Sequence, residues 1–171
     1  MVKVLFICMG NICRSPMAHG ILSTLAEQAG LAHADPPLVV DSAGTSDYHV
    51  GEPPDPRAIR TAGEYGVRID HLRARQVTRE DLDSFDHLIV MERANIARMT
   101  ELFGRPLMDK AGERVRLLLS YAPDVPLDEV PDPYYGGEED FHRCFDLLER
   151  GVVGLFAHIA RTHYDGRVSL D

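Results

Sequence analysis

The chain is short of the features that mark membrane, secreted or nucleic-acid-binding proteins. Its 171 residues include three cysteines, an odd number without repeating spacing, which excludes a secreted disulfide framework and makes a reducing cytoplasm the expected location. Positive charge is scarce, with 18 Lys and Arg against 27 Asp and Glu and a formal net charge of -9. No basic run or stripe interrupts that excess, so neither nucleic acid nor an anionic membrane is an expected partner. An anionic substrate would need a locally positive pocket. Long hydrophobic runs are missing too: the opening MVKVLFICMG is too short for a bilayer span and lacks the charged start and cleavage site of a signal peptide. With no Gly/Ser-rich or Pro-rich linker and no internal repeat, one domain over residues 1–171 is expected. The eight histidines and three cysteines show no metal-ligand spacing, and neither metal nor cofactor is expected.

Strands alternate with helices. The apolar run Val2 to Cys8 has strand length, and Pro16, behind Ser15 as a cap, opens a helix through about Gly30. Pro37 to Gly44 forms a second strand candidate, and Asp55 to Gly66 a helix with an Asp-Pro start and a glycine stop. His87 to Met91 then reads as strand and the stretch to Phe103 as helix, followed by the short apolar segment RVRLLLSYA. In the last long segment Phe141, Phe145, Leu148, Val152, Leu155, Phe156 and Ile159 recur at helical intervals behind acidic residues, which makes a closing helix. Such alternation implies right-handed crossovers and a parallel sheet covered on both faces, with ligands gathering outside the carboxyl ends of the strands. Cys8 sits at such an end.

The loop after the first strand carries the chemistry. In FICMGNICRSPMA, Phe6 to Ala18, two cysteines stand five positions apart and an arginine and a serine follow the second. Backbone N–H groups from Met9 through Gly10, Asn11, Ile12 and Cys13 to Arg14 can form a concave nest for phosphate, closed by a helix N-terminus. Gly10 permits a positive φ or a close backbone approach, and Asn11 tolerates the left-handed region. Arg14 can grip two phosphate oxygens with its planar fork. The same field favours Cys8 as a thiolate nucleophile, whose attack on phosphorus gives a cysteinyl-phosphate, while Ser15 can hydrogen-bond the sulfur and help it leave. Departure of the alcohol needs an acid on the far side of the phosphate. The turn-rich stretch VPDPYYGGEEDF offers Asp132 between two prolines, although Asp128, Glu129, Asp132, Glu138, Glu139 and Asp140 also fit a solvated acidic face.

CMGNICRSP resembles the Cys-x5-Arg-Ser phosphate loop near the N-terminus of the low-molecular-weight protein tyrosine phosphatases, and DPYYG resembles their acid loop. The resemblance covers nearly the whole chain. It implies a three-layer, flavodoxin-like α/β domain with a central four-stranded parallel sheet and helices on both faces. The implied activity is hydrolysis of phosphotyrosine in proteins or peptides and of aryl phosphates, with phosphate, sulfate or vanadate as site ligands. It makes Asp132 the proton donor, and gives Ser42 and His71 the task of holding Asn11 in its strained conformation. It also puts Tyr48, Tyr134 and Tyr135 along the substrate cleft, the last two as phosphorylation sites in some relatives. Ile12 can touch the substrate ring; the similar arginine-phosphate phosphatases tend to have threonine there. Cys13 is placed to capture an oxidised Cys8 as a disulfide, whereas Cys144 reads as core. One departure stands out, because His19 replaces the glutamate common in relatives. An arsenate reductase of similar fold would need a further cysteine pair, and only Cys144 remains downstream.

Overall fold

A computed structural model of the chain describes residues 1–166. Strand β1 (Val2–Cys8) lies inside the sheet, with β2 (Leu38–Gly44) on one side and β3 (His87–Val90) on the other; β4 (Val115–Leu117) flanks β3. Every pairing is parallel, in the order β2-β1-β3-β4. This is the four-stranded parallel sheet expected from the alternation of elements. The register sets Cys8 opposite Gly44 and Ile7 opposite Val90, so three strands end on one edge.

Side chains leave a strand alternately to its two faces, and β1 divides accordingly. Val4, Phe6 and Cys8 join the core beneath α1 (Arg14–Gln28), α2 (Pro56–Glu64) and the last helix, α6 (Glu138–His163). Leu5 and Ile7 join the core beneath α3 (Asp81–Ser84), α4 (Arg93–Phe103) and α5 (Arg105–Ala111). The helical spacing read from α6 corresponds to its buried face, since all seven of those apolar residues are at most 2% exposed. No helix among the described residues is long and apolar enough to cross a membrane.

One local expectation needs correction. Helix α1 begins at Arg14 with Cys13 in the cap position, two residues before Pro16. Its third residue tolerates proline because the first four N–H groups of a helix have no intrahelical acceptor, and Ser15 turns its hydroxyl to Cys8 and Asn11 instead of capping. The segment RVRLLLSYA is split between β4 and a 3-10 turn, Leu118–Tyr121, which packs under α6.

That packing depends on Gly154. A Cβ built there would collide with the carbonyl oxygen of Tyr121, a backbone atom that cannot swing aside, whereas one built on Gly63 in α2 meets nothing within 4 Å. Gly154→Ala is therefore expected to lower the unfolding free energy by about 1–3 kcal/mol, the usual cost of overpacking. Gly63→Ala should leave it unchanged or raise it by up to about 1 kcal/mol. Urea denaturation of the two variants beside the parent protein checks both.

Candidate active site

The loop from Cys8 to Arg14 joins the carboxyl end of β1 to the first turn of α1. Asn11 adopts φ 56°, a left-handed conformation that most side chains avoid, and two hydrogen bonds hold it there. Its Oδ1 accepts from the backbone N–H of Arg75 at 3.0 Å, and its Nδ2 donates to Ser15 Oγ at 2.7 Å. Ser15 Oγ lies 3.0 Å from Cys8 Sγ and 3.5 Å from the carbonyl of Ala43. Because that hydroxyl already accepts from Asn11, its own proton is free to point at the nearer sulfur. A β2 residue presses on the loop from the side: a Cβ on Gly44 would lie 2.7 Å from the carbonyl oxygen of Met9. Gly10 has no positive φ, and what it supplies is room beside His49.

The support assigned to Ser42 and His71 takes a different form. Among the described residues, neither hydrogen-bonds Asn11. Ser42 Oγ is engaged at 3.0 Å by Nδ1 of His19, which reaches across from α1, and His71 is exposed and lines a separate hollow together with His19. The backbone of Arg75 does the holding instead. Burial pushes the His19 imidazole down to about 4 against the opposing pull of Asp41, so the ring is neutral near pH 7.

Arg14 is 1% exposed, and a buried cation must be compensated. Its Nη1 lies 3.1 Å from Glu92 Oε2 and donates to the carbonyl of Val130 at 2.9 Å; its Nη2 lies 3.5 Å from Asp132 Oδ2. Burial opposes the charge, but Cys8, Glu92 and Asp132 outweigh it and push the guanidinium further up from its ordinary value. Glu92 was not read from the sequence as part of the site. Its signal was an acid directly after a strand, at the sheet edge where ligands gather.

Asp132 faces the loop from the stretch before α6, and its Oδ1 accepts from the N–H of Tyr134 at 3.1 Å. Arg57, near the start of α2, fastens this stretch. It binds Asp55 through Nε and Nη2 at 3.1 and 2.9 Å, and donates to the carbonyls of Tyr134 at 3.0 Å and Gly136 at 3.3 Å. The N–H of Asp55 in turn donates to Ile12 in the loop at 2.8 Å. The sequence showed Asp55-Pro56 only as a helix start.

A cavity of about 200 Å³ opens between these parts, lined by Cys8, Ile12, Cys13, Arg14 and Asp132 and rimmed by Tyr48, Tyr134 and Tyr135. Cys8 is 2% exposed, at the bottom, while Tyr48 and Tyr135 are 84% and 92% exposed. Burial pushes the Cys13 thiol up, and pushes that of Cys144, on the buried face of α6, up to about 12. Both are neutral thiols near pH 7. A metal could be held, among the described residues, by Glu64, Glu138 and His142, but they lie on α2 and α6, and His142 Nε2 already faces Glu64 Oε2 at 3.2 Å.

A Cys-x5-Arg loop between an inner strand and the first helix of a four-stranded parallel sheet, with an aspartate facing it, defines a phosphatase of the cysteine-dependent class. The chain belongs to the low molecular weight phosphotyrosine protein phosphatase family, whose model matches residues 3–164. It is 38% identical to the low molecular weight protein-tyrosine-phosphatase YfkJ of Bacillus subtilis over 94% of this chain and 97% of that protein. The enzyme of the same description from Streptomyces coelicolor is 37% identical over 98% of both chains. The crystal structure of YfkJ superposes with a TM-score of 0.83, covering 95% of this chain and 97% of that one. A structure of the YwlE arginine phosphatase with a phosphorylated active-site serine superposes at 0.79 with 25% identity, covering 95% and 99%.

The contrast among the three thiols gives an expected outcome. Iodoacetamide near pH 7 should modify one cysteine per chain, Cys8, and inorganic phosphate or vanadate should slow that reaction at least tenfold. Mass spectrometry of the labelled peptides decides it: labelling of Cys13 or Cys144 at a similar rate, or no protection by the oxyanions, contradicts this reading of the pocket.

Proposed function

We propose that the protein hydrolyses phosphotyrosine in proteins or peptides, and aryl phosphates, with Cys8 as nucleophile, Arg14 as phosphate clamp and Asp132 as general acid and base. The observation that carries this is a cavity whose floor is the Cys8 sulfur and whose walls hold a buried guanidinium and a facing carboxylate. Phosphate oxygens entering it would draw on the N–H groups of Met9 to Arg14 and on Arg14, whose 3.5 Å approach to Asp132 is loose enough for an anion to replace. Phosphate, sulfate and vanadate are ligands for the same cradle.

In the first step the sulfur attacks phosphorus, the bond from phosphorus to the tyrosyl oxygen breaks, and protonated Asp132 gives its proton to that oxygen. In the second, Asp132 takes a proton from water, the water oxygen attacks phosphorus, and Cys8 leaves as a thiolate. The Ser15 hydroxyl stabilises that thiolate. The depth of Cys8 below the tyrosine rim suits a long aryl ester: a phenyl ring spans from the sulfur to Tyr48, Tyr134 and Tyr135, which the short side chain of phosphoserine does not. Ile12 adds an apolar contact for that ring. Likeness to an arginine phosphatase makes phosphoarginine the rival substrate. Cys13 serves as redox partner: peroxide converts Cys8 to a sulfenic acid, which condenses with the Cys13 thiol to a disulfide and releases water. Three unpaired cysteines fit a reducing cytoplasm.

Cys8→Ser should reduce turnover of an aryl phosphate at least a thousandfold while retaining vanadate binding. Asp132→Asn should lower kcat by about 10²–10⁴-fold for phenyl phosphate, and far less for a good leaving group such as p-nitrophenol. Steady-state rates on both esters, with phosphotyrosine, phosphoserine and phosphoarginine peptides alongside, test the whole reading. Persistent activity in Cys8→Ser removes it, and faster turnover of phosphoarginine than of phosphotyrosine replaces the substrate.

A further inference from the structure

A second hollow, of about 660 Å³, borders the catalytic cavity of about 200 Å³, and Met9 and Tyr48 line both. These two exposed side chains form the partition between them. The small cavity has room for an aryl phosphate and little else. The polypeptide on either side of a phosphotyrosine must run across the surface, and the larger hollow is an opening continuous with the rim.

Its charge is uneven. Asp47 is exposed and makes no ion pair among the described residues, and Glu92 adds a carboxylate that is 28% exposed and shared with Arg14. The one cation of the wall, Arg98, is already matched by Glu101 at 2.9 Å. Leu102 supplies an apolar surface on which the methylene stem of a long side chain can lie while its charged end reaches a carboxylate. The net charge of -9 extends the same field outward, so a basic segment is drawn in and an acidic one repelled.

We propose that this hollow receives the substrate segment next to the phosphotyrosine and selects for a lysine or arginine there, with Asp47 as the residue that recognises it. The proposal rests on the phosphotyrosine reading of the catalytic cavity and goes on to name the sequence context that cavity is fed from. Asp47 and Arg98 set the preference in opposite directions. Neither belongs to the catalytic machinery.

The test compares kcat/KM for matched phosphotyrosine peptides carrying Lys or Glu, in turn, at the positions before and after the tyrosine. The parent protein, Asp47→Asn and Arg98→Gln are assayed together, with p-nitrophenyl phosphate as a substrate that has no flanks. The parent should favour Lys-containing peptides about three- to tenfold at low salt, and the preference should shrink as ionic strength rises. Asp47→Asn should reduce it about two- to fivefold, the range of one exposed ion pair, and Arg98→Gln should increase it. Opposite shifts cannot come from general damage to the fold, and p-nitrophenyl phosphate should be hydrolysed equally by all three. Loss of activity on every substrate in the parent protein would defeat the phosphatase reading itself. Normal turnover with no charge preference, or a preference that both substitutions leave unchanged, would overturn this proposal alone.

Discussion

A guanidinium sealed from water at the mouth of a sheet constrains everything near it. Stripping a cation of its hydration costs several kcal/mol unless negative groups surround it in good geometry, and removing one such group from a buried set costs about 3–5 kcal/mol. Arg14 meets that demand with three partners from two separate parts of the chain: Glu92 after β3, and the carbonyl of Val130 with the carboxylate of Asp132 in the stretch before α6. The start of α1, the β3–α4 junction and the acid stretch are thereby drawn to one point. An ion pair of this kind does little for stability in itself. Its effect is to fix which loops share the edge of the sheet.

The strained backbone at Asn11 depends on the same edge. A residue held at positive φ needs surroundings that over-determine it, and here the peptide of Arg75 and the hydroxyl of Ser15 take both ends of its amide. Ser15 passes the constraint on to the Cys8 sulfur. Arg75 is itself fixed by Asp41 at 3.0 Å and Asp81 at 2.8 Å, so the support reaches back to β2 and α3.

Much of this was legible in the residues. The apolar run Val2 to Cys8, the loop with its glycine, asparagine and arginine, and the periodic face of α6 each carry a local signal strong enough to read alone. The loop motif also brought Asp132 into view through resemblance, although nothing in its own surroundings separates it from a solvated acidic face. The rest depends on contacts distant in the chain. No local pattern says that Glu92 will meet Arg14, or that Ser42 will meet His19 and leave Asn11 to a backbone amide. The early start of α1 was hidden for a related reason: Ser15 has the composition of a helix cap, and tertiary bonding to a sulfur and an amide claimed its hydroxyl. Short elements such as α3 and α5 have too few turns for periodicity to show.

Arg57 links the two sides of the cavity mechanically. One guanidinium joins Asp55, whose peptide touches the loop, to the carbonyls just beyond Asp132, and it also lies over the rings of Tyr134 and Phe141. Asp132 and the loop that carries Cys8 are thus mounted on a common truss, with the aspartate's arm pinned close to its pivot. With the backbone tied at Tyr134 and Gly136, the rim opens for a bulky protein substrate through the exposed side chains of Tyr48 and Tyr135, and the spacing between carboxylate and sulfur is left undisturbed.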